Sequence, residues 1–300
     1  MAKLVNLSGR AKLKGLSQYI AYSLYYNCTA SNLRRSYRNS IYCQDVLVAS
    51  NGIIKSTYCK NRWCPTCNRI KTAGYINRYL PTLEAQTELY FVTLTRPNVV
   101  VDDLRAEIKE LLRLYRKIVN GDRTIAKLIA FTHTVGLRKL ECTYNAQRDD
   151  YHPHLHLLVS SRVVADAIVN KWLYLSPSAS PEAQCVKPVT DLSGGVKEIF
   201  KYFTKLLAKS PTGRVYFDAV HMDNIFVACR NVQVFGGLGS LKINDIDDEA
   251  GGSVDVSVSG VYKYKDMGNY IGYYPIDDVS GSGSNLVEVN KPRYLRELES

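Results

Sequence analysis

Apolar residues recur along the chain at two spacings. Tyr90-Phe91-Val92-Thr93-Leu94-Thr95 is a β-branched and aromatic run that predicts a strand. Leu104, Ile108, Leu111, Leu112, Tyr115 and Ile118 follow at helical spacing and predict a helix over 102–119. A long strand-like stretch (128–145), a second strand (154–160) and a helix (163–174) come next. A short strand near 184–190 precedes an amphipathic helix over 196–209, after Gly194-Gly195. Near 225–243, Ile-Phe-Val-Ala-Cys and Val-Gln-Val-Phe-Gly-Gly predict another strand pair. Strands alternating with helices, one hairpin included, indicate an α+β fold with helices flanking a central, mostly antiparallel sheet. The pattern divides the chain into a region 1–80, a domain over 85–243, and a C-terminal extension 244–300. That extension is acidic at Asp245, Asp247, Asp248 and Glu249 and rich in Gly and Ser, and it reads as loop, tail or a small appended element.

Charge changes the picture once it is located. The formal net charge is +11, and residues 1–80 hold 13 Lys/Arg against a single acid, Asp45. Such a segment attracts polyanions by releasing their counterions, and nucleic acid is the usual partner. Tyr19, Tyr22, Tyr25, Tyr26, Tyr37, Tyr42 and Trp63 are interleaved with the charge, and unpaired bases stack on such rings. The plain alternative is a solvated basic surface. No apolar run approaches the 18 or so residues of a membrane span, and the start lacks the apolar core of a secretory signal. A cytoplasmic location is therefore expected. Eight cysteines without an export signal point to metal rather than disulfides.

Three of those thiols lie in Cys59-Lys60-Asn61-Arg62-Trp63-Cys64-Pro65-Thr66-Cys67, a Cx4Cx2C spacing that wraps a chain around one Zn2+. Tetrahedral zinc needs a fourth sulfur, and Cys43 is the first candidate, ahead of Cys28. With four sulfurs no coordination position stays open, so this zinc is expected to be structural. It would fix a basic module in which Arg62, Arg69 and Lys71 are candidate DNA contacts. Cys142, Cys185 and Cys229 sit in apolar surroundings and read as small packed hydrophobes.

Tyr151-His152-Pro153-His154-Leu155-His156 holds three of the five histidines. In a strand, positions i and i+2 share a face, so His154 and His156 project together. If Ala146–Tyr151 is the hairpin loop, Asn145 faces His152 and Glu141 lies directly across from His156. A slip of one residue would turn Glu141 to the other face. Two imidazoles and a carboxylate suit a catalytic divalent ion that polarises a phosphate, Mn2+ fitting the nitrogens better and Mg2+ being more abundant.

On the helix over 196–209, about 100° per residue buries Ile199, Phe200, Phe203, Leu206 and Leu207 and aligns Glu198, Tyr202 and Lys205 on the opposite face. A phenol of pKa near 10 becomes a nucleophile when a cation or metal stabilises its anion, and a glutamate one turn earlier can take a proton from it or from water. The plain alternative is a solvated face with an i,i+4 pair.

Together these segments resemble the HUH endonucleases, most closely the rolling-circle replication initiators of small bacterial plasmids in their zinc-bearing, single-tyrosine branch. Phe91-Val92-Thr93-Leu94-Thr95 is similar to the family's first motif, and His154-Leu155-His156 to its His-hydrophobic-His metal motif. Tyr202-Phe203-Thr204-Lys205 is similar to its YxxK motif, and the Cx4Cx2C to this branch's zinc site. Val227 to Gly237 resembles its Arg…Gly-Gly closing segment. The resemblance covers roughly residues 40–243 and implies an HUH (ferredoxin-like) domain behind an N-terminal zinc-binding module. It implies that Tyr202 nicks single-stranded or extruded origin DNA with a metal held by His154, His156 and Glu141. A 5′-phosphotyrosyl link and a 3′-OH primer would result, for a host helicase and DNA polymerase to use. Glu198 would direct the terminating water, and Lys205 would offset phosphate or phenolate charge. A transposase or relaxase built on the same site, or a zinc-stabilised repressor without catalysis, are the rival readings.

Overall fold

The computed structural model describes residues 6–51, 53–191, 199, 205–242, 252–253, 259–276 and 285–299. In chain order these begin with helices α1 (Leu7–Asn27) and α2 (Arg34–Ile41), strands β1 (Val46–Ser50) and β2 (Ile53–Ser56), and helix α3 (Pro65–Glu84). Then come β3 (Tyr90–Thr95), α4 (Val101–Val119), α5 (Arg123–Phe131), β4 (Val135–Asn145), β5 (Asp150–Val159), α6 (Arg162–Leu175) and β6 (Cys185–Pro188). The short strands β7 (Ala208–Lys209) and β8 (Val215–Tyr216) precede α7 (Ala219–Ala228), β9 (Phe235–Gly239) and β10 (Gly252–Ser253). Strands β11 (Gly260–Asp266), β12 (Tyr270–Pro275) and β13 (Val287–Asn290) and helix α8 (Arg293–Glu299) close the chain. The protein is α+β, and no described helix is long and apolar enough to cross a membrane.

The chain forms two compact units. One comprises residues 1–71, 206–223 and 247–300, the other 72–205 and 224–246. In the first, an antiparallel sheet of order β10-β2-β1-β11-β12-β13 joins strands about two hundred residues apart, with Val46 opposite Lys263 and Ala49 opposite Gly260. Its strands alternate in burial, so one face packs and the other meets solvent. Helix α1 covers the packed face so closely that a Cβ at Gly15 would lie 2.8 Å from the Tyr264 hydroxyl.

In the second unit an antiparallel sheet of order β6-β3-β5-β4-β9 places β5 at its centre. One face carries Leu140, Leu155, Leu157, Val92 and Leu94, fully buried beside the apolar stripe of α4 and the α6 residue Trp172. The other face carries Leu137 and Leu158, which pack with Tyr75, Tyr79 and Leu83 of α3, with Leu241 and with Ile199. Asp122 accepts from the Thr124 and Ile125 amides and so starts α5; Ser161 caps α6 in the same way.

Three elements differ from the sequence expectation. The 128–145 stretch is two elements: α5 runs to Phe131, and His133, at φ 49°, turns the chain before β4 begins. Ile225-Phe226-Val227-Ala228 lies in helix α7 rather than a strand; a short apolar run fits either period, and Asp218, accepting from the His221 amide, starts the helix. The helix expected to reach 209 does not: Ala208–Lys209 pairs with Val215–Tyr216 around Pro211-Thr212-Gly213, where Gly213 adopts φ 81°.

Candidate metal centres

The β4–β5 hairpin aligns the first candidate centre. Asn145 Oδ1 accepts from the Gln147 and Arg148 amides at 3.0 and 3.3 Å, and Asp149 takes φ 53°, so the loop closes over four residues rather than six. Asn145 therefore pairs with Asp150, and Glu141 with His154 rather than His156, whose partner is Lys139. The correction is two residues. An even shift preserves the face, so Glu141 still projects with both histidines.

His154 is 8% exposed. Its Nδ1 lies 3.0 Å from the His152 carbonyl, which can only accept, so that nitrogen holds the proton and Nε2 is left with its lone pair. That lone pair faces His156 Nε2 at 3.0 Å, and His156 Nε2 is 3.7 Å from Glu141 Oε2. Thr93 Oγ1, 3.3 Å from His156 Nδ1, and the Phe91 ring at 5.0 Å hold the second imidazole from β3. Donor atoms about 2.1 Å from a shared ion stand roughly 3.0–3.4 Å apart in octahedral or tetrahedral arrangement. Glu141, His154 and His156, whose donors all lie within 4.8 Å of one another, fit that requirement with small adjustment. Two imidazoles and one carboxylate also leave coordination positions for phosphate oxygens.

Electrostatics favours the same assignment. Burial pushes the His154 and His152 imidazoles below their ordinary range, which keeps them neutral and able to ligate. Burial would raise the Glu141 carboxyl, but opposing interactions, the Lys139 charge and hydrogen bond foremost, more than offset it and hold the carboxyl low. Lys139 is a functional candidate that the sequence reading missed. It is 2% exposed and donates to Glu141 Oε2 at 2.8 Å, on the histidine face of β4. Its signal was a lysine two residues before the acid and so on the same face of the strand. His152 is also drawn in, through a hydrogen bond to Thr95 Oγ1.

Tyr202 and Glu198 lie outside the described residues. Lys205 is exposed, in irregular chain just before β7. Ile199, three residues ahead of Tyr202, is helical, 1% exposed, and part of the buried cluster that includes Leu137 and Leu158 from the sheet face that carries the histidines.

The second centre lies in the other unit. Cys43, Cys59, Cys64 and Cys67 bring their sulfurs within 4.8 Å of one another, with Cys43–Cys67 at 3.4 Å and Cys59–Cys67 at 3.6 Å. Tetrahedral zinc with bonds of about 2.3 Å needs sulfur spacings of about 3.8 Å. The donor set and spacing fit a Zn(Cys)4 site. Pro65 opens α3 at the position where a missing N–H costs nothing, and Ser17 of α1 accepts from the Thr66 amide at 3.1 Å, fixing the turn between Cys64 and Cys67. Hydrogen bonds among the sulfurs, from Cys43 first, hold Cys59 and Cys64 below the usual thiol range, and the same network pushes Cys43 and Cys67 above it. Lys14, fully buried, sits beside the cluster, its Nζ donating to the Ile41 carbonyl at 2.8 Å and 3.3 Å from Asp45. Cys28 is elsewhere, 3.4 Å from the Ala219 carbonyl; Cys142 and Cys229 are fully buried and Cys185 half-buried. Arg69 is exposed on α3, whereas Arg62 and Lys71 are half-buried.

Residues 51–165 match the family model described as a replication protein. "Protein rep" of Staphylococcus aureus is 34% identical over 141 residues, 45% of this chain and 58% of that protein. "Protein rep" of Streptococcus pneumoniae serotype 2 is 28% identical over 113 residues, covering 36% of this chain and 34% of its own length. "Protein rep" of Bacillus amyloliquefaciens is 28% identical over 142 residues, 45% of this chain and 40% of its own. The matches thus span little more than half of these relatives at most. No solved structure matches the chain.

Proposed function

Because residues 51–165 of this chain match the family model described as a replication protein, we propose that it initiates replication by nicking one strand of an origin DNA through Tyr202. The observation that carries this reading is that Ile199 belongs to the same buried cluster as Leu137 and Leu158, which lie two residues along their strands from Lys139 and His156. Tyr202 follows Ile199 by three residues, and three residues of chain span at most about 11 Å.

A divalent ion, Mn2+ or Mg2+, held by His154, His156 and Glu141 would polarise the scissile phosphate and favour the Tyr202 phenolate. The chain's residues do the rest. Tyr202 Oη attacks phosphorus, the bond from phosphorus to the 3′ oxygen breaks, and that oxygen leaves as a hydroxyl after taking a proton. The product is a 5′-phosphotyrosyl protein and a 3′-OH, which a host DNA polymerase extends while a helicase opens the duplex. Lys205 offsets negative charge on the phosphate, and Glu198 later takes a proton from the water that ends the cycle. Lys139 keeps Glu141 ionised and oriented. The cysteine cluster holds structural Zn2+, and the basic surface bearing Arg62, Arg69 and Lys71 contacts DNA backbone.

The test is incubation with single-stranded origin DNA and Mn2+, followed by denaturing electrophoresis. A covalent protein–DNA band that requires the ion and disappears in Tyr202→Phe is expected. An undiminished band in Tyr202→Phe removes that residue from the role. DNA binding without metal-dependent cleavage in the wild-type protein would favour a non-catalytic replication protein.

A further inference from the structure

Strand alternation turns Arg138 to the face of the second unit's sheet opposite Lys139, Glu141 and the histidines. There a cavity of about 530 Å³ is lined by Leu112, Tyr115, Arg116, Arg138, Gly236 and Lys242, among others. Arg138 is 4% exposed and sits over the Tyr115 ring, 5.8 Å from its centre. Nη2 donates to the Gln233 carbonyl at 3.0 Å and Nη1 to the Val234 carbonyl at 3.3 Å, which engages two of the five guanidinium donors. Among the described residues no carboxylate lines the cavity or pairs with Arg138. Arg116 and Lys242, both exposed, bring two further positive charges to the same space. Burial, with Arg116 adding to it, pushes the Arg138 guanidinium down to about 10.

A buried cation with like charges beside it and no acid is strongly unfavourable unless an anion completes the arrangement. A second observation points the same way. A Cβ at Gly236 would lie 2.9 Å from Arg138 Nη2 and 3.1 Å from its Nε, so glycine there lets the guanidinium keep its position at the cavity. An apolar ligand would leave the charge unsatisfied. A dianion with several acceptor oxygens answers it, and guanidinium is suited to such a group by geometry.

We propose that this cavity is a phosphate-binding site, with Arg138 as its buried anchor and Arg116 and Lys242 at its mouth. The volume exceeds that of one phosphate and leaves room for an attached sugar, so the group comes from a free nucleotide or from a DNA strand. The site uses no residue of either metal centre and does not depend on the nicking reading.

Isothermal titration of the full chain without added divalent ions, using inorganic phosphate, dAMP and a single-stranded oligonucleotide, tests it. Saturable binding of phosphate and dAMP is expected, about tenfold weaker in Lys242→Gln and lost in Arg116→Glu. Arg116 and Lys242 are both exposed, so both variants should unfold at the same temperature as wild type without ligand. Displacement of dAMP by the oligonucleotide identifies DNA as the source of the phosphate, and failure to displace identifies a free nucleotide. No saturable binding of phosphate or dAMP up to about 10 mM, or equal affinity in wild type and both variants, overturns the proposal.

Discussion

Replacing Glu141 with leucine isolates what the carboxylate does for the fold. Lys139 is 2% exposed, and its ammonium donates to Glu141 Oε2 at 2.8 Å, while the Glu141 side chain is 23% exposed. Without the carboxylate the buried ammonium loses its partner, and breaking a buried pair by removing one side typically costs about 3–5 kcal/mol. Water reaching the site through the partly exposed Glu141 position reduces that, so Glu141→Leu should cost about 2–4 kcal/mol. Lys139→Met alone should cost less, and Glu141→Leu/Lys139→Met should recover at least half of the Glu141→Leu loss, because neither charge then remains. Urea unfolding without added divalent ions reads these values. Of the chain's two tryptophans, Trp63 lies in the first unit and the fully buried Trp172 in the second, so a Trp63→Phe background reports on the second unit alone. A Glu141→Leu cost below about 0.5 kcal/mol, or strict additivity in the double variant, would refute the claim that Glu141 neutralises a buried lysine.

Other predictions concern the scaffold. Cys64→Ser should lower bound zinc from one ion per chain to well under half, read by metal analysis, and should lower the unfolding temperature of the first unit. Gly239→Ala, at φ 68° with its Cβ 1.8 Å from the Thr134 carbonyl oxygen, should cost more than about 1 kcal/mol in the same unfolding assay. Lys291 is 4% exposed and bonded to Asp266 at 2.7 Å and to Glu299; burial would lower its pKa, but the two carboxylates more than offset that and raise it. Its stabilisation is therefore complete below the unfolded-state pKa of about 10.4 and lost as pH rises through the higher folded value. The stability gap between wild type and Lys291→Met should be constant from pH 7 to 9 and shrink above about 10.4; a gap already shrinking at pH 8 would contradict this.

Short-range patterns were legible in the sequence and long-range pairings were not. Alternation put His154 and His156 on one face of a strand whatever its register, and parity carried Glu141 to the same face despite the four-residue turn set by Asn145 and Asp149. The Cys64/Cys67 pair announced a turn around a metal because two sulfurs three residues apart can reach one ion only there. Pairing of β1 with β11 joins strands about two hundred residues apart, and nothing local in Val46–Ser50 or Gly260–Asp266 encodes the partner. Residues 225–229 misled because an apolar run that short has no period. Lys139 and Arg138 were passed over because a charged residue in a strand reads as solvent-facing until both faces of the sheet are seen to be covered.

Diffraction from crystals soaked in Mn2+, recorded at the manganese edge, tests the central claim most directly. The account predicts an anomalous peak about 2.2 Å from His154 Nε2, His156 Nε2 and a Glu141 carboxylate oxygen. A peak bound elsewhere, or full-occupancy Mn2+ that ignores these three side chains, would contradict it.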